Sequence, residues 1–213
     1  IYHIHLAGYR HADVKPANVL LDSEKNPVIT DFGSAEPLST IVNNRQQALA
    51  IQDNAASNTT ASFRAPELFD TPSYCIIDGK SDVWGLGCTF FATLFSRTPF
   101  ENPIDGLSVL AVMSGNFSFP NNHKWPPEYI TMISACLRPD LNQRLSIEEL
   151  KILAEMLPDP IEFQSMNLTL DSTTTTTTMN QPFLFVFVIF VLRKLFELSF
   201  LNNIIVIIII III

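Results

Sequence analysis

The chain has 213 residues, a formal net charge of -8 and an isoelectric point near 4.9. Its basic side chains form no cluster, which excludes a nucleic-acid surface. Three cysteines, Cys75, Cys88 and Cys136, lack metal-ligand or redox spacing and suit a reducing compartment, packed as small hydrophobes.

In chain order, residues 1–7 read as the closing turns of a helix stopped by Gly8. His11-Ala12-Asp13-Val14-Lys15-Pro16-Ala17-Asn18 follows, then two strand-like runs at 19–21 and 27–30. Asp31-Phe32-Gly33 comes next, with Gly33 expected to let the backbone turn sharply. Residues 45–50 are helix-compatible, and the small polar run 54–60 reads as loop. After Ala65-Pro66-Glu67, residues 80–95 give the clearest helix, with Val83, Leu86, Gly87, Phe90 and Leu94 on one face and Cys88 and Phe91 widening it. A helix apolar around so much of its circumference is expected to be buried, which makes Asp82 a buried acid in need of partners. Pro126-Pro127 opens a helix to about residue 137. Ser146 with Glu149 forms a capping box for a helix to about residue 156, stopped by Pro158 and Pro160.

The first three motifs carry one chemistry. Moving a γ-phosphoryl group needs a carboxylate to orient the attacking hydroxyl, Mg²⁺ on the phosphates and fixed cations against developing charge. Asp13 supplies the carboxylate, and Asn18, five residues on, an amide oxygen for metal. Lys15 lies two residues past Asp13, so on extended backbone both side chains point the same way and the lysine can meet the transferred phosphate. Asp31 supplies a second, anionic oxygen ligand suited to Mg²⁺. Each motif alone is a common turn; all three in this order are a specific signal.

On these residues, residues 1–157 resemble the C-terminal lobe of a eukaryotic protein kinase. Ser81-Asp82-Val83-Trp84-Gly85-Leu86-Gly87 resembles the start of that lobe's central helix, Thr98-Pro99-Phe100 the turn after it, and Arg144 the arginine that pairs with Glu67. Asn44-Arg45-Gln46-Gln47-Ala48-Leu49, Ile51-Gln52-Asp53, Phe63-Arg64-Ala65-Pro66-Glu67-Leu68-Phe69 and Tyr74-Cys75-Ile76-Ile77-Asp78 are similar to the myristoylated and palmitoylated serine/threonine kinases of the Numb-associated kinase group. The resemblance implies a mainly α chain: the α+β kinase fold lacking its N-lobe, with a low-complexity hydrophobic tail. It implies ATP and Mg²⁺ as cofactors and Ser/Thr of protein substrates as acceptors. Asp13, Lys15 and Thr60 are the catalytic residues, with Thr60 bonding Asp13 and Lys15. Lys15, Asn18, Leu20 and Asp31 bind the nucleotide, Leu20 as part of the adenine floor, and Asn18 and Asp31 hold the metal. Asp82 is implied to bond the catalytic-loop backbone near His11. The activation segment, 31–67, is implied to carry an extra helical element near the substrate groove.

One departure stands out. The family reads His-Arg-Asp where this chain reads His11-Ala12-Asp13. The missing arginine normally holds a phosphate on the activation segment, so the segment is expected to be shaped by its own packing. Arg10, two residues earlier, is a candidate substitute for that cation. The glycine-rich loop, strand lysine and helix glutamate that roof the ATP site do not occur in the 213 residues, so the chain by itself is expected to be inactive or nearly so.

Residues 158–182 read as a polar, Thr-rich linker, with six threonines at 173–178. Residues 183–213 are apolar, interrupted by Arg193-Lys194, and end in a run of isoleucines broken by Val206. Two readings stand for this tail: a membrane-crossing helix, for which it is long enough, or translated AT-rich sequence with no specified packing. The resembling kinases reach membranes through a lipidated N-terminus, so association can come from either end. The expectation is therefore a cytoplasmic serine/threonine protein kinase, membrane-associated at the Golgi or another endomembrane by resemblance. A pseudokinase-like peptide-binding scaffold and a membrane-anchored adaptor are the alternatives.

Overall fold

The computed structural model describes residues 1–23 and 26–157. The linker and the apolar tail expected after residue 157 lie outside them. Among the described residues, no helix is long and apolar enough to cross a membrane.

The chain opens with α1 (Tyr2–Leu6), β1 (Tyr9–Arg10), a 3-10 turn at Pro16–Asn18, β2 (Val19–Leu21) and β3 (Pro27–Ile29). A second 3-10 turn at Phe32–Ser34 leads to β4 (Glu36–Pro37), β5 (Thr40–Val42) and α2 (Arg45–Asn58). Then come α3 (Pro66–Phe69), β6 (Cys75–Ile77), α4 (Lys80–Phe95), β7 (Glu101–Asn102), β8 (Gly106–Leu107), α5 (Val109–Ser114), α6 (Pro127–Cys136) and α7 (Ile147–Glu155). The strands form four separate antiparallel ribbons, β1 with β4, β2 with β3, β5 with β6 and β7 with β8. Helices therefore carry the core and the ribbons position loops on it.

α4 is the centre. Phe90, Cys88 and Phe91 are buried on the face the periodicity predicts, and Trp84, outside it, is fully buried as well. Gly87 lets α6 approach, since a Cβ there would lie 2.7 Å from Cys136 Cβ. Trp84 stacks on Phe100 at 5.2 Å, and the Arg144 guanidinium lies 5.0 Å above its ring. Arg144 also forks onto Glu67, 2.8 Å to Oε1 and 2.9 Å to Oε2, which ties α3 to the loop before α7. Arg144 and Glu67 thus satisfy each other where they are buried, whereas Trp84 Nε1 is buried with no hydrogen-bond partner among the described residues.

The ends follow local rules. Gly8, at φ +85°, closes α1 in the left-handed region as expected. Pro127 sits in the first turn of α6. The Ser146–Glu149 capping box is complete, with Glu149 N–H donating to Ser146 Oγ and Ser146 N–H donating to Glu149 Oε2. Cys88 and Cys136 are fully buried, and burial pushes the Cys136 thiol up to about 12. Cys75 is only half-buried.

Two local expectations are corrected. Residues 54–58 are not loop but the last turns of α2. Ala48 and Ala55, two turns apart, are buried on one face, and Asp53 and Asn54 lie on the solvent face. Ser57 Oγ donates to the Asp53 carbonyl at 3.0 Å and Asn58 Nδ2 to Asn54 Oδ1 at 2.6 Å, so small polar side chains are satisfied within the helix. Second, the residue that turns at the start of the activation segment is Asp31 (φ 63°), not Gly33, whose φ lies outside the left-handed region.

Candidate active site

Asp82 organises the catalytic loop from below. It sits in the first turn of α4, 2% exposed. Its Oδ2 accepts from His11 N–H at 2.7 Å and from His5 Nε2 at 2.8 Å, and its Oδ1 from Ala12 N–H at 2.9 Å. Burial pushes this carboxyl up, but the His5, His11 and Ala12 donors outweigh it and hold it below its ordinary value. Those bonds also hold Ala12 in the left-handed region, φ 66°, where a non-glycine residue costs about 1–2 kcal/mol. His11 is fully buried: Nδ1 accepts from Asp13 N–H at 3.3 Å and Nε2 meets the Thr30 carbonyl at 3.0 Å. The tautomer protonated on Nε2 satisfies both.

That frame delivers Asp13 to the crevice. Lys15 Nζ donates to Asp13 Oδ2 at 2.6 Å and to Thr60 Oγ1 at 2.7 Å, and Thr60 N–H donates to Asp13 Oδ1 at 2.8 Å. Three residues from two distant segments converge as the sequence predicted. Burial raises the Asp13 carboxyl, and the Lys15 and Thr60 bonds overcome that and hold it below the usual carboxylate range. Asp13 is thus an ionised acceptor at neutral pH, with Lys15 beside it as a fixed cation.

Asn18 is buried, its Nδ2 donating to the Asp13 carbonyl at 2.8 Å. The amide nitrogen is engaged inward, which leaves Oδ1 as the atom available to a ligand. Thr30 N–H and Oγ1 both donate to the Asn18 carbonyl, at 2.9 and 3.2 Å, and Asp31 follows Thr30 directly. Asp31 is exposed, and among the described residues one donor reaches it, Gly33 N–H at 3.4 Å. An amide oxygen and a carboxylate held on adjoining backbone fit Mg²⁺, which takes few protein oxygens beside phosphate and water. Consistent with that sparse set, the described residues contain no group of three His, Cys, Asp or Glu side chains placed to hold a metal. Leu20 lies on β2, 55% exposed, on a face it shares with its exposed cross-strand partner Val28.

Arg10 is not a free substitute for the arginine missing at position 12. It is 1% exposed, with Nη1 donating to Ser81 Oγ at 3.1 Å and Nη2 to Glu36 Oε2. Sequence reasoning missed His5 and Glu36. For His5 a signal existed: Ile1, Ile4 and His5 fall on one helical face, so a histidine there is buried and needs a partner. Arg64 was not singled out either. It lines the crevice with Asp13 and Thr60, donates to the Thr59 hydroxyl at 2.7 Å and lies 4.8 Å from the Phe69 ring.

The comparisons with known proteins agree with this geometry. The family model described as protein kinase domain matches residues 1–153. The chain belongs to the protein kinase family. It is 39% identical over 158 residues to serine/threonine-protein kinase 16 of Mus musculus, covering 74% of this chain and 52% of that protein. It is 39% identical over 148 residues to serine/threonine-protein kinase ppk13 of Schizosaccharomyces pombe, covering 68% and 43%. It is 34% identical over 153 residues to serine/threonine-protein kinase ENV7 of Saccharomyces cerevisiae, covering 70% and 42%. The chain therefore spans about half, or somewhat less, of the relatives it matches.

Proposed function

We propose that residues 1–157 are the C-terminal lobe of a serine/threonine protein kinase of the Numb-associated group, in its myristoylated and palmitoylated branch. The observation that carries this reading is the shared Asp13–Lys15–Thr60 contact, a carboxylate, a cation and a hydroxyl from two segments meeting in one crevice. Asp13 accepts a hydrogen bond from the acceptor Ser or Thr and takes its proton as the hydroxyl oxygen bonds to the γ-phosphorus and the bond from that phosphorus to the β–γ bridging oxygen breaks, releasing ADP. Lys15 neutralises charge on the phosphoryl group in transit. Asn18 and Asp31 hold Mg²⁺, which supplies charge neutralisation on the ATP phosphates. Leu20 offers an apolar surface to the adenine.

The test is Asp13→Asn in the whole protein, with a Ser/Thr peptide and Mg-ATP. The expected result is a fall in kcat of about 10²–10⁴-fold with the KM for ATP little changed. Activity retained within about tenfold would overturn the assignment. The 213-residue chain alone, assayed beside the whole protein, is expected to be inactive or nearly so. We also propose a cytoplasmic location with membrane association through residues 183–213 or through a lipidated N-terminus. Retention of the tagged chain in the membrane pellet after alkaline carbonate, lost on deletion of 183–213, supports the tail; an unchanged pellet after that deletion excludes it.

A further inference from the structure

β1 and β4 pair with Arg10 opposite Glu36, so their side chains meet between the catalytic loop and the activation segment. Glu36 uses both oxygens. Oε2 accepts from the buried Arg10 guanidinium, and Oε1 accepts from Asn54 Nδ2, on the exposed face of α2. One carboxylate thus joins three segments: the strand entering the catalytic loop, the start of the activation segment, and the helix inside it. A second tie reinforces the first, Ser34 Oγ donating to the Asn58 carbonyl at 2.7 Å. α2 ends at Asn58, and two residues later Thr60 contacts both Asp13 and Lys15. Whatever fixes α2 therefore fixes Thr60 against the catalytic carboxylate.

We propose that Arg10, Glu36 and Asn54 form a built-in anionic latch that positions the activation segment, with the Glu36 carboxylate doing what a segment phosphate would otherwise do. The supporting chemistry is specific to this chain. Position 12 carries alanine, so the catalytic loop presents no cation there to an added phosphate. Position 10 carries the cation instead, and that cation is buried and committed to Glu36 and Ser81. A charged pair closed inside the fold needs no modification to form and resists screening better than an exposed one. Glu36 and Asn54 are positioning residues, acting on substrate only through Thr60. This inference rests on the kinase reading for its kinetic consequences, but not for its structural one.

Asn54→Asp tests it at an exposed position, where the fold tolerates change. It sets two carboxylates against each other, whereas Asn54→Gln keeps an amide donor facing the Glu36 carboxylate and leaves the Arg10 pairing untouched. In the whole protein, N54D should raise the KM for peptide about tenfold and leave the KM for ATP unchanged. N54Q should stay close to the wild type, and removing phosphate from the wild type with a phosphatase should leave its activity intact. Hydrogen exchange of the same proteins reads the latch without any assay: the Thr59 and Thr60 amides should exchange at least about fivefold faster in N54D and stay near the wild-type rate in N54Q. That exchange pattern in a protein lacking kinase activity would sink the kinase reading and keep the latch. Unchanged exchange and peptide kinetics in N54D, or wild-type activity lost to phosphatase, would overturn the latch.

Discussion

The interior seam around α4 and the outer edge that carries Asp31 and Leu20 treat the same chemical groups in opposite ways. In the seam, Asp82 is 2% exposed and accepts from three donors, and Glu67 receives both arms of a fully buried Arg144. At the edge, Asp31 is exposed, left-handed and reached by one long hydrogen bond, while Leu20 and Val28 face outward. Carboxylates that hold the fold spend their lone pairs on protein donors. A carboxylate meant for an external ligand has to keep them free, and the surrounding backbone pays the conformational cost. Asp13 stands between these extremes: it is mostly satisfied by Lys15 and Thr60, yet it opens on the crevice.

The sharpest way to break this contrast is in the seam. Arg144→Ala leaves Glu67 a buried charge without its partner and removes the guanidinium from the Trp84 face. Breaking such a pair costs about 3–5 kcal/mol, read as a lower urea midpoint. Arg144→Lys should recover less than half of it, because one ammonium cannot fork onto two carboxylate oxygens. A loss under about 1 kcal/mol in the alanine variant would mean that the seam does not depend on this pair.

Asp82→Asn comes next, at about 2–3 kcal/mol, since an amide cannot accept from three donors at once. The pH dependence separates it from a packing defect. The folded Asp82 carboxyl lies below its ordinary value, so its stabilisation is present above the unfolded value and is lost as pH falls through the folded one. Wild-type stability should therefore decline on acidification below about pH 4, and the decline should be shallower in D82N. It should not vanish, because Asp13 is shifted in the same direction. Equal acid slopes in the two proteins would show that Asp82 is not the group responsible.

Much of this seam was legible before the structure. Asp13, Lys15 and Asn18 stand at the spacing that the resemblance to a kinase catalytic loop implies, and α4 appears in the sequence as an unbroken helical stripe from residue 80 to 95. The Ser146–Glu149 box is local chemistry three residues long. What could not be read depends on partners far apart in the chain. Nothing near Glu36 says that it will face Arg10 on one side and Asn54 on the other, because a two-residue strand pairing sets that register. The last turns of α2 were obscured for a related reason. Asn, Ser and Thr favour loops on their own, and only the burial of Ala55 against the rest of the domain makes the helix continue.

The outer edge gives the smallest expected change in stability and the most discriminating one. Asp31→Ala removes a side chain that contributes one 3.4 Å hydrogen bond and no buried contact, and it leaves a left-handed alanine where an aspartate was. Ordinary surface changes fall within about 0.5 kcal/mol, and alanine adds up to about 1 kcal/mol because it tolerates the left-handed region less well than aspartate, so the urea midpoint should fall only slightly. Ligand binding should not be spared. If Asp31 belongs to the metal set, the whole wild-type protein should gain several degrees of thermal stability from Mg-ADP, and D31A should lose most of that gain while its ligand-free melting temperature falls only slightly. The alanine variant of Asp82 should show the reverse ordering, a low melting temperature with the Mg-ADP increment retained in whatever fraction folds. A D31A protein destabilised by more than about 1.5 kcal/mol without ligand would place Asp31 with the structural acids after all, and the contrast between the two regions would not survive.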